Sequence, residues 1–346
     1  MALISNKKNI LSCVLGGCGI LHLAEMLPRR RVLIGLNYHR IGNIMQNPYD
    51  DGVFSANADG FRRQVQYLKK HYDILSIEQM ERLMVDPVIL QKPAVIITFD
   101  DGYRDNYDIA FPILKEEGVI GVFFIPTSFI DNPVLPWWDQ IAFIVKKTLK
   151  TRLILSLPVA GTVVDIDNKD NALVAIRSLH ELYHSCTLEM KNLFLKDLAG
   201  SANVIIDAEQ QGQGLFMKWD HIREMSKSGM DFGSHGHSHT ILTELNETQL
   251  RDDYMQSKTI LEQKLGSEIS AVSYPGGRPD MFSGVTMKLA AEAGYRLGFS
   301  FYDGINDFDD AIDPFNIKRM DVSLHENFLL FRSKCIMHTV RFLNIH

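Results

Sequence analysis

Cysteine, a surplus of basic residues and long apolar runs are all scarce in this chain of 346 residues. Its four cysteines, Cys13, Cys18, Cys186 and Cys335, include no Cys-x-x-Cys pair. That argues against a disulfide framework or a structural zinc ribbon, and for a reducing compartment. Lysine and arginine total 36 against 42 aspartates and glutamates, a formal charge of −6. With no global positive field, nucleic acid is not an expected partner. The uncharged run from Asn9 to Leu21 follows Lys7 and Lys8 but covers 13 residues, short of the roughly 20 that span a bilayer. Gly16, Gly17 and Gly19 weaken it as a helix, and no convincing small-residue cleavage site follows. The expectation is a cytoplasmic protein, with peripheral contact to anionic lipid through Arg29, Arg30 and Arg31 left open. Internal repeats and low-complexity tracts are missing as well.

What the chain does have is 46% hydrophobic residues, enough for a large core. Val32 to Leu36 is a short β-rich apolar run that suits a strand buried on both faces, and it ends at Tyr38-His39-Arg40. Pro93 to Phe99 is the clearest strand and runs straight into Asp100-Asp101-Gly102-Tyr103. A helix from Tyr107 to Glu117, stopped by Gly118, leads to another strand, Gly121 to Pro126. Strand, helix and strand again indicate a parallel sheet. Residues 131–214 interrupt that rhythm with polar turns and helical runs, and are read as an insertion, not a domain of its own. The rhythm then resumes with a helix at Trp219 to Ser228, the strand entering Gly233, and alternating helices and strands to Phe301. The organisation expected is an N-terminal helical or peripheral segment (1–31), a main domain (32–330) and a C-terminal helix (331–346).

Two adjacent aspartates at the end of a buried apolar strand are costly unless something there needs negative charge. A cation meets that need, although Asp101 closing an ordinary Asp-Gly turn is the plainer alternative. Gly233-Ser234-His235-Gly236-His237-Ser238-His239 sets three histidines at the end of a second strand. If His235 to His239 form a helical turn, the i, i+4 pair presents both imidazoles to one ion while His237 points elsewhere. Two histidines and one carboxylate leave coordination positions open, as a catalytic ion requires. Water there becomes more acidic, and Asp100 is the neighbouring carboxylate that can take its proton.

In order along the chain, Thr98-Phe99-Asp100-Asp101-Gly102-Tyr103, His235 with His239, and Tyr274-Pro275-Gly276-Gly277 resemble the successive motifs of the polysaccharide deacetylases, carbohydrate esterase family 4 with its NodB homology domain. The resemblance also takes in Arg104 to Leu114, Pro136-Trp137-Trp138-Asp139 and Met217 to His239, within residues 32–330. It implies an α/β distorted (β/α) barrel with the site at the C-terminal strand ends. Asp100 would be the base, and Asp101, His235 and His239 would hold a divalent metal, most simply Zn2+. The substrate would be an N-acetylated glycan or glycan precursor, as in exopolysaccharide biosynthesis, from which an N-acetyl group is hydrolysed. O-acetyl ester hydrolysis, or glycan binding without turnover, is the alternative.

The third motif departs from the family's fullest form, which has Arg where this chain has Ser273 and an aromatic residue where it has Gly276. That Arg orients the base, so Arg319 is the candidate replacement and Arg278 the second. Gly276 N–H can help bind an oxyanion without a side chain, or Pro275-Gly276-Gly277 is merely a turn. No clear Leu-x-His motif supplies a general acid. His39 fits if its strand lies beside the Thr98–Asp101 strand; otherwise it caps strand-end carbonyls. His325 lacks the motif and His338 falls in a helical run. Trp137 and Trp138 either stack on sugar or pack the insertion.

Overall fold

The computed structural model describes residues 20–340 apart from 28, 46, 87–89 and 91. Most of the uncharged run from Asn9 to Leu21, with Cys13 and Cys18, and the end of the expected C-terminal helix after 340 lie outside the described residues. The chain divides into two compact units, one of residues 1–42, 54–131 and 216–346, the other of 43–53 and 132–215.

The first unit is built on seven strands: β1 Val32–Tyr38, β2 Ala94–Phe99, β3 Val122–Ile125, β4 Asp231–Ser234, β5 Ala271–Ser273, β6 Leu297–Phe299 and β7 Arg319–Asp321. They pair in parallel in the order β6-β5-β4-β3-β2-β1-β7. Ile317, just ahead of β7, then bridges Phe299 of β6 in parallel, with Ile317 N–H donating to Gly298 O (2.9 Å) and Ser300 N–H to Ile317 O (3.0 Å). The sheet therefore closes on itself, and the expected distorted (β/α) barrel is observed. Every residue of β1, β2 and β3 is buried, which is why these strands read as unbroken apolar runs. Connecting helices cover the ring: Ala58–His71, capped by Asn57 Oδ1 accepting from Gly60 N–H (2.7 Å); Phe111–Glu117, ended by left-handed Gly118; and Glu247–Leu265, with a capping box at Asn246 and Gln249. The last helix among the described residues is Phe328–Thr339.

The second unit contains helices Trp137–Lys147, Lys169–Ser185 and Leu188–Ala202 and the antiparallel hairpin Arg152–Leu155 with Thr162–Asp165. Ile141, Ile144, Leu153, Leu179, Phe194 and Leu198 form its core. The segment, inserted in sequence between parts of the first unit, has its own core and is joined in its unit by Asn43–Val53. Lys146 Nζ donates to Tyr49 O (2.5 Å) and pairs with Asp51 (2.9 Å), while buried Asp139 accepts Asp50 N–H (2.9 Å). Trp137 stacks on Tyr183 at 4.2 Å and Trp138 is buried, so both tryptophans pack within this unit.

Candidate active site

The parallel register puts the C-terminal ends of the strands at one rim, and the chemistry gathers there. Tyr38 pairs with Phe99, and Asp100 N–H donates to Tyr38 O (2.9 Å) as the last rung. The chain then turns sharply: Asp101 has φ +72° and Gly102 φ +67°. Only three non-glycine residues among those described have such left-handed backbone, Asp101, Asn203 and His239. Asn203 caps a helix; the other two are predicted ligands. Strain of this kind is held where the surroundings dictate a side-chain position.

The histidine segment does not form the expected helical turn. Residues 235–241 carry no helix, because Gly236 at φ +71° sends the chain over the carboxylate of Asp253, which would lie 2.6 Å from a Cβ at that position. Asp253, from helix Glu247–Leu265, accepts the N–H of His237 (2.9 Å) and of Ser238 (2.9 Å). His237 turns away, its Nδ1 2.8 Å from Thr127 Oγ1. The loop still returns His239 to His235, their rings 4.8 Å apart. Asp101 Oδ1 lies 3.5 Å from His235 Nε2 and 3.1 Å from His239 Nε2.

These three side chains form a possible metal-binding triad, with one ligand atom from each within 4.8 Å of the others. Asp101 Oδ1 is buried and takes no well-directed hydrogen bond. His235 Nδ1 sits 2.8 Å from Ser273 O; since a carbonyl only accepts, Nδ1 carries the proton and the Nε2 lone pair faces Asp101. Two lone pairs converging in a buried site call for a cation between them. Burial opposes charge on Asp101, yet His239 and His235 hold its carboxyl far below the usual range. Burial likewise lowers the proton affinity of His235, but Asp100 and Asp101 more than offset it. The donor set of two imidazoles and a carboxylate fits a divalent ion.

Asp100 is not part of the triad but is held against it, its Oδ2 3.9 Å from His235 Nε2. Arg319, fully buried, clamps it from β7: Nη1 donates to Oδ1 and Nη2 to Oδ2, each at 2.8 Å. The guanidinium also donates to Thr98 Oγ1 (2.9 Å), Asn37 Oδ1 (3.3 Å), Ser273 Oγ (2.6 Å) and Ser300 O (2.9 Å). Burial alone would raise the Asp100 carboxyl, but Arg319 holds it below its ordinary value. Arg319 pairs with Gly35 of β1, where a Cβ would come within 2.8 Å of Arg319 Cγ and 2.6 Å of Lys318 O, so glycine there makes room for the arginine stem. Ser273 stands where the family's fullest motif has arginine, and its small hydroxyl receives a guanidinium arriving from another strand.

His39 follows β1 directly and so stands beside Asp100 at the rim, and its ring lies 5.7 Å from Phe301. Its backbone is fixed from the aspartate turn: Asn106 Nδ2 donates to His39 O (2.7 Å), and Asp105 accepts from Arg40 Nε (2.8 Å) and Ile41 N–H (3.0 Å). Gly276, at φ +70° beside Met281 and Ile241, gives its N–H to no backbone acceptor among the described residues. Arg278 lies at the surface, 3.3 Å from Asp280, away from Asp100. His325 is exposed and His338 pairs with Asp303 at 2.9 Å from within a helix. Sequence reasoning missed Ser273, Thr98 and Asn37 as holders of the guanidinium, and Asp253 as the clamp on the histidine loop. Asp253 lies at helical spacing among polar residues, so nothing local distinguishes it.

A family model described as polysaccharide deacetylase matches residues 88–151 and 194–298. The poly-beta-1,6-N-acetyl-D-glucosamine N-deacetylase of Escherichia coli (strain K12) is 29% identical over 112 residues, 32% of this chain and 16% of that protein. YxkH of Bacillus subtilis (strain 168), named for the same family, is 21% identical over 272 residues, 78% of this chain and 64% of that one. The chain thus spans under two thirds of the length of either relative. Among solved structures, the Streptococcus pyogenes deacetylase PplD in complex with acetate superposes with a TM-score of 0.58 at 18% identity, over 89% of this chain and 99% of that one. That likeness is one of fold.

Proposed function

Because the chain belongs to the polysaccharide deacetylase family, we propose that it is a metal-dependent hydrolase that removes N-acetyl groups from an amino sugar within a glycan or glycan precursor. The observation that carries this reading is the Asp101, His235 and His239 triad with Asp100 clamped beside it. When bound, the ion supplies a Lewis acid and makes a water acidic near neutral pH; Zn2+ is our choice from the donor set. Asp101, His235 and His239 bind it, with Ser273 O fixing the tautomer of His235. Asp100 Oδ2, the oxygen nearer the triad, takes a proton from water as the C–O bond forms. Arg319 keeps the carboxylate ionised and fixed in orientation. His39 returns a proton to the nitrogen as the C–N bond breaks, leaving acetate and a free amine. Gly276 N–H stabilises the developing oxyanion. The E. coli relative's substrate, a β-1,6-linked N-acetylglucosamine polymer, is the first glycan to try.

The test measures acetate released from β-1,6- and β-1,4-linked N-acetylglucosamine oligomers and from an O-acetylated glycan, alongside metal content. We expect N-acetyl substrates to be cleaved, chelation to stop turnover, and Asp100→Asn to lower kcat by roughly 10²- to 10⁴-fold while keeping its metal. Asp101→Ala should lose the metal itself. Release only from the O-acetyl substrate, or full activity in Asp100→Asn, overturns the reading.

A further inference from the structure

The clearest feature away from the site is a cavity of about 370 Å³ between the helix Ala58–His71, the helix Phe328–Thr339 and the short helix Ile20–Glu25. Arg63, Lys70 and Arg332 line it, with Glu25 as its one carboxylate. Glu25 Oε1 is already taken by Arg332 (2.7 and 3.2 Å) and by Tyr67 OH (3.0 Å). Arg63 lies over the Phe328 ring at 4.0 Å, and among the described residues no carboxylate pairs with Arg63 or Lys70. Two uncompensated cations thus border a cavity on a chain whose formal charge is −6.

The same region exposes hydrocarbon. Leu21 packs on Ile336 and Val340 and so ties the short helix down, but Leu23, Met26 and Leu27 stay 64%, 73% and 49% exposed. The sequence leading into this helix carries Lys7 and Lys8 and no acidic residue before Glu25. Exposed apolar side chains beside unpaired cations are what an interfacial segment brings to a negatively charged bilayer. Among the described residues no helix is long and apolar enough to cross a membrane, so the contact is peripheral.

We propose that this face docks on an anionic lipid surface, with a headgroup phosphate at Arg63 and Lys70 and with Leu23, Met26 and Leu27 entering the acyl boundary. Residues 20–31 feed the N-terminal end of β1, whereas Asp100 and the triad sit at the C-terminal strand ends. The cavity flanks the side of the barrel along the helices Ala58–His71 and Phe328–Thr339, and none of its lining residues belongs to the site, so docking there leaves Asp100 and the triad free.

The experiment sediments the full chain with phosphatidylcholine vesicles, with and without phosphatidylglycerol, over a range of salt. Expected is binding only to the anionic vesicles, weakened by salt and by Arg63→Glu with Lys70→Glu on the order of tenfold or more, and weakened also by Leu23→Ser with Met26→Ser. All four positions are exposed, and an unchanged circular-dichroism melt and acetate release on soluble oligomers show that the variants fold. Equal binding to neutral vesicles, or no loss in the charge-reversed variant, overturns the proposal. So does an absence of vesicle binding with stabilisation by inorganic phosphate alone, which identifies a soluble anion site instead.

Discussion

The two units bury charge in different ways. In the second unit, Asp139 and Lys191 are buried at separate places: Asp139 accepts Asp50 N–H, and Lys191 lies 5.0 Å from the Tyr183 ring centroid. Around them the interior is hydrocarbon. In the barrel, four buried groups form a chain of ion pairs, Arg319 to Asp100, Asp100 to His235 and His235 to Asp101. Removing charges from water costs several kcal/mol each unless they are paired. Convergence of four such groups at one rim is not how a fold stabilises itself; it is how a site is set up for chemistry.

The largest test of that contrast is Arg319→Met. Leaving Asp100 buried without its partner should cost about 3–5 kcal/mol in denaturant unfolding and also depress kcat. Adding Asp100→Leu should recover most of that stability while turnover stays lost. A double variant no more stable than Arg319→Met would break the view that the pair serves function over folding. In the second unit, Leu179→Ala should cost about 2–5 kcal/mol through an unfilled cavity, with metal content unchanged in the folded protein. Loss of metal from that variant would dissolve the distinction between the units.

The smallest effect is a difference in pH response, read from two histidines by hydrogen exchange. Burial lowers the pKa of His180 in the second unit, with Asp50 opposing it. Its contribution is therefore present above about pH 6.5, the unfolded value, and is lost as pH falls below it. Burial also lowers His338 in the barrel unit, but its hydrogen bond to Asp303 prevails and raises the pKa. That contribution is complete below about 6.5 and fades as pH climbs through the folded value. Asp303 is largely exposed, so roughly 0.5 kcal/mol is the scale. Replacing His338 with Gln should flatten the barrel unit's alkaline loss only.

Legibility in the sequence follows the same division. β1, β2 and β3 were readable because strands buried on both faces must be apolar throughout. β7 was not: it has three residues, opens with arginine and ends with aspartate, and only its place between β1 and β6 makes it a strand. Asp100, Asp101, His235 and His239 could be picked out as a cluster from residue type and strand-end position. The shape of the His235–His239 loop could not, since spacing of four suits a helical turn and the deciding facts are Gly236's left-handed backbone and an Asp253 carboxylate from another helix.

The bridge at Ile317 and the short strand after it have a biosynthetic consequence. Residues 317–321 follow every other strand of the ring in the sequence, yet they both seal it between β1 and β6 and deliver the guanidinium that neutralises Asp100. A nascent or truncated polypeptide lacking them would carry two unpaired strand edges, open to aggregation, and an aspartate with no counterion. Closure of the ring and the pairing of the proposed base with its counterion therefore arrive together.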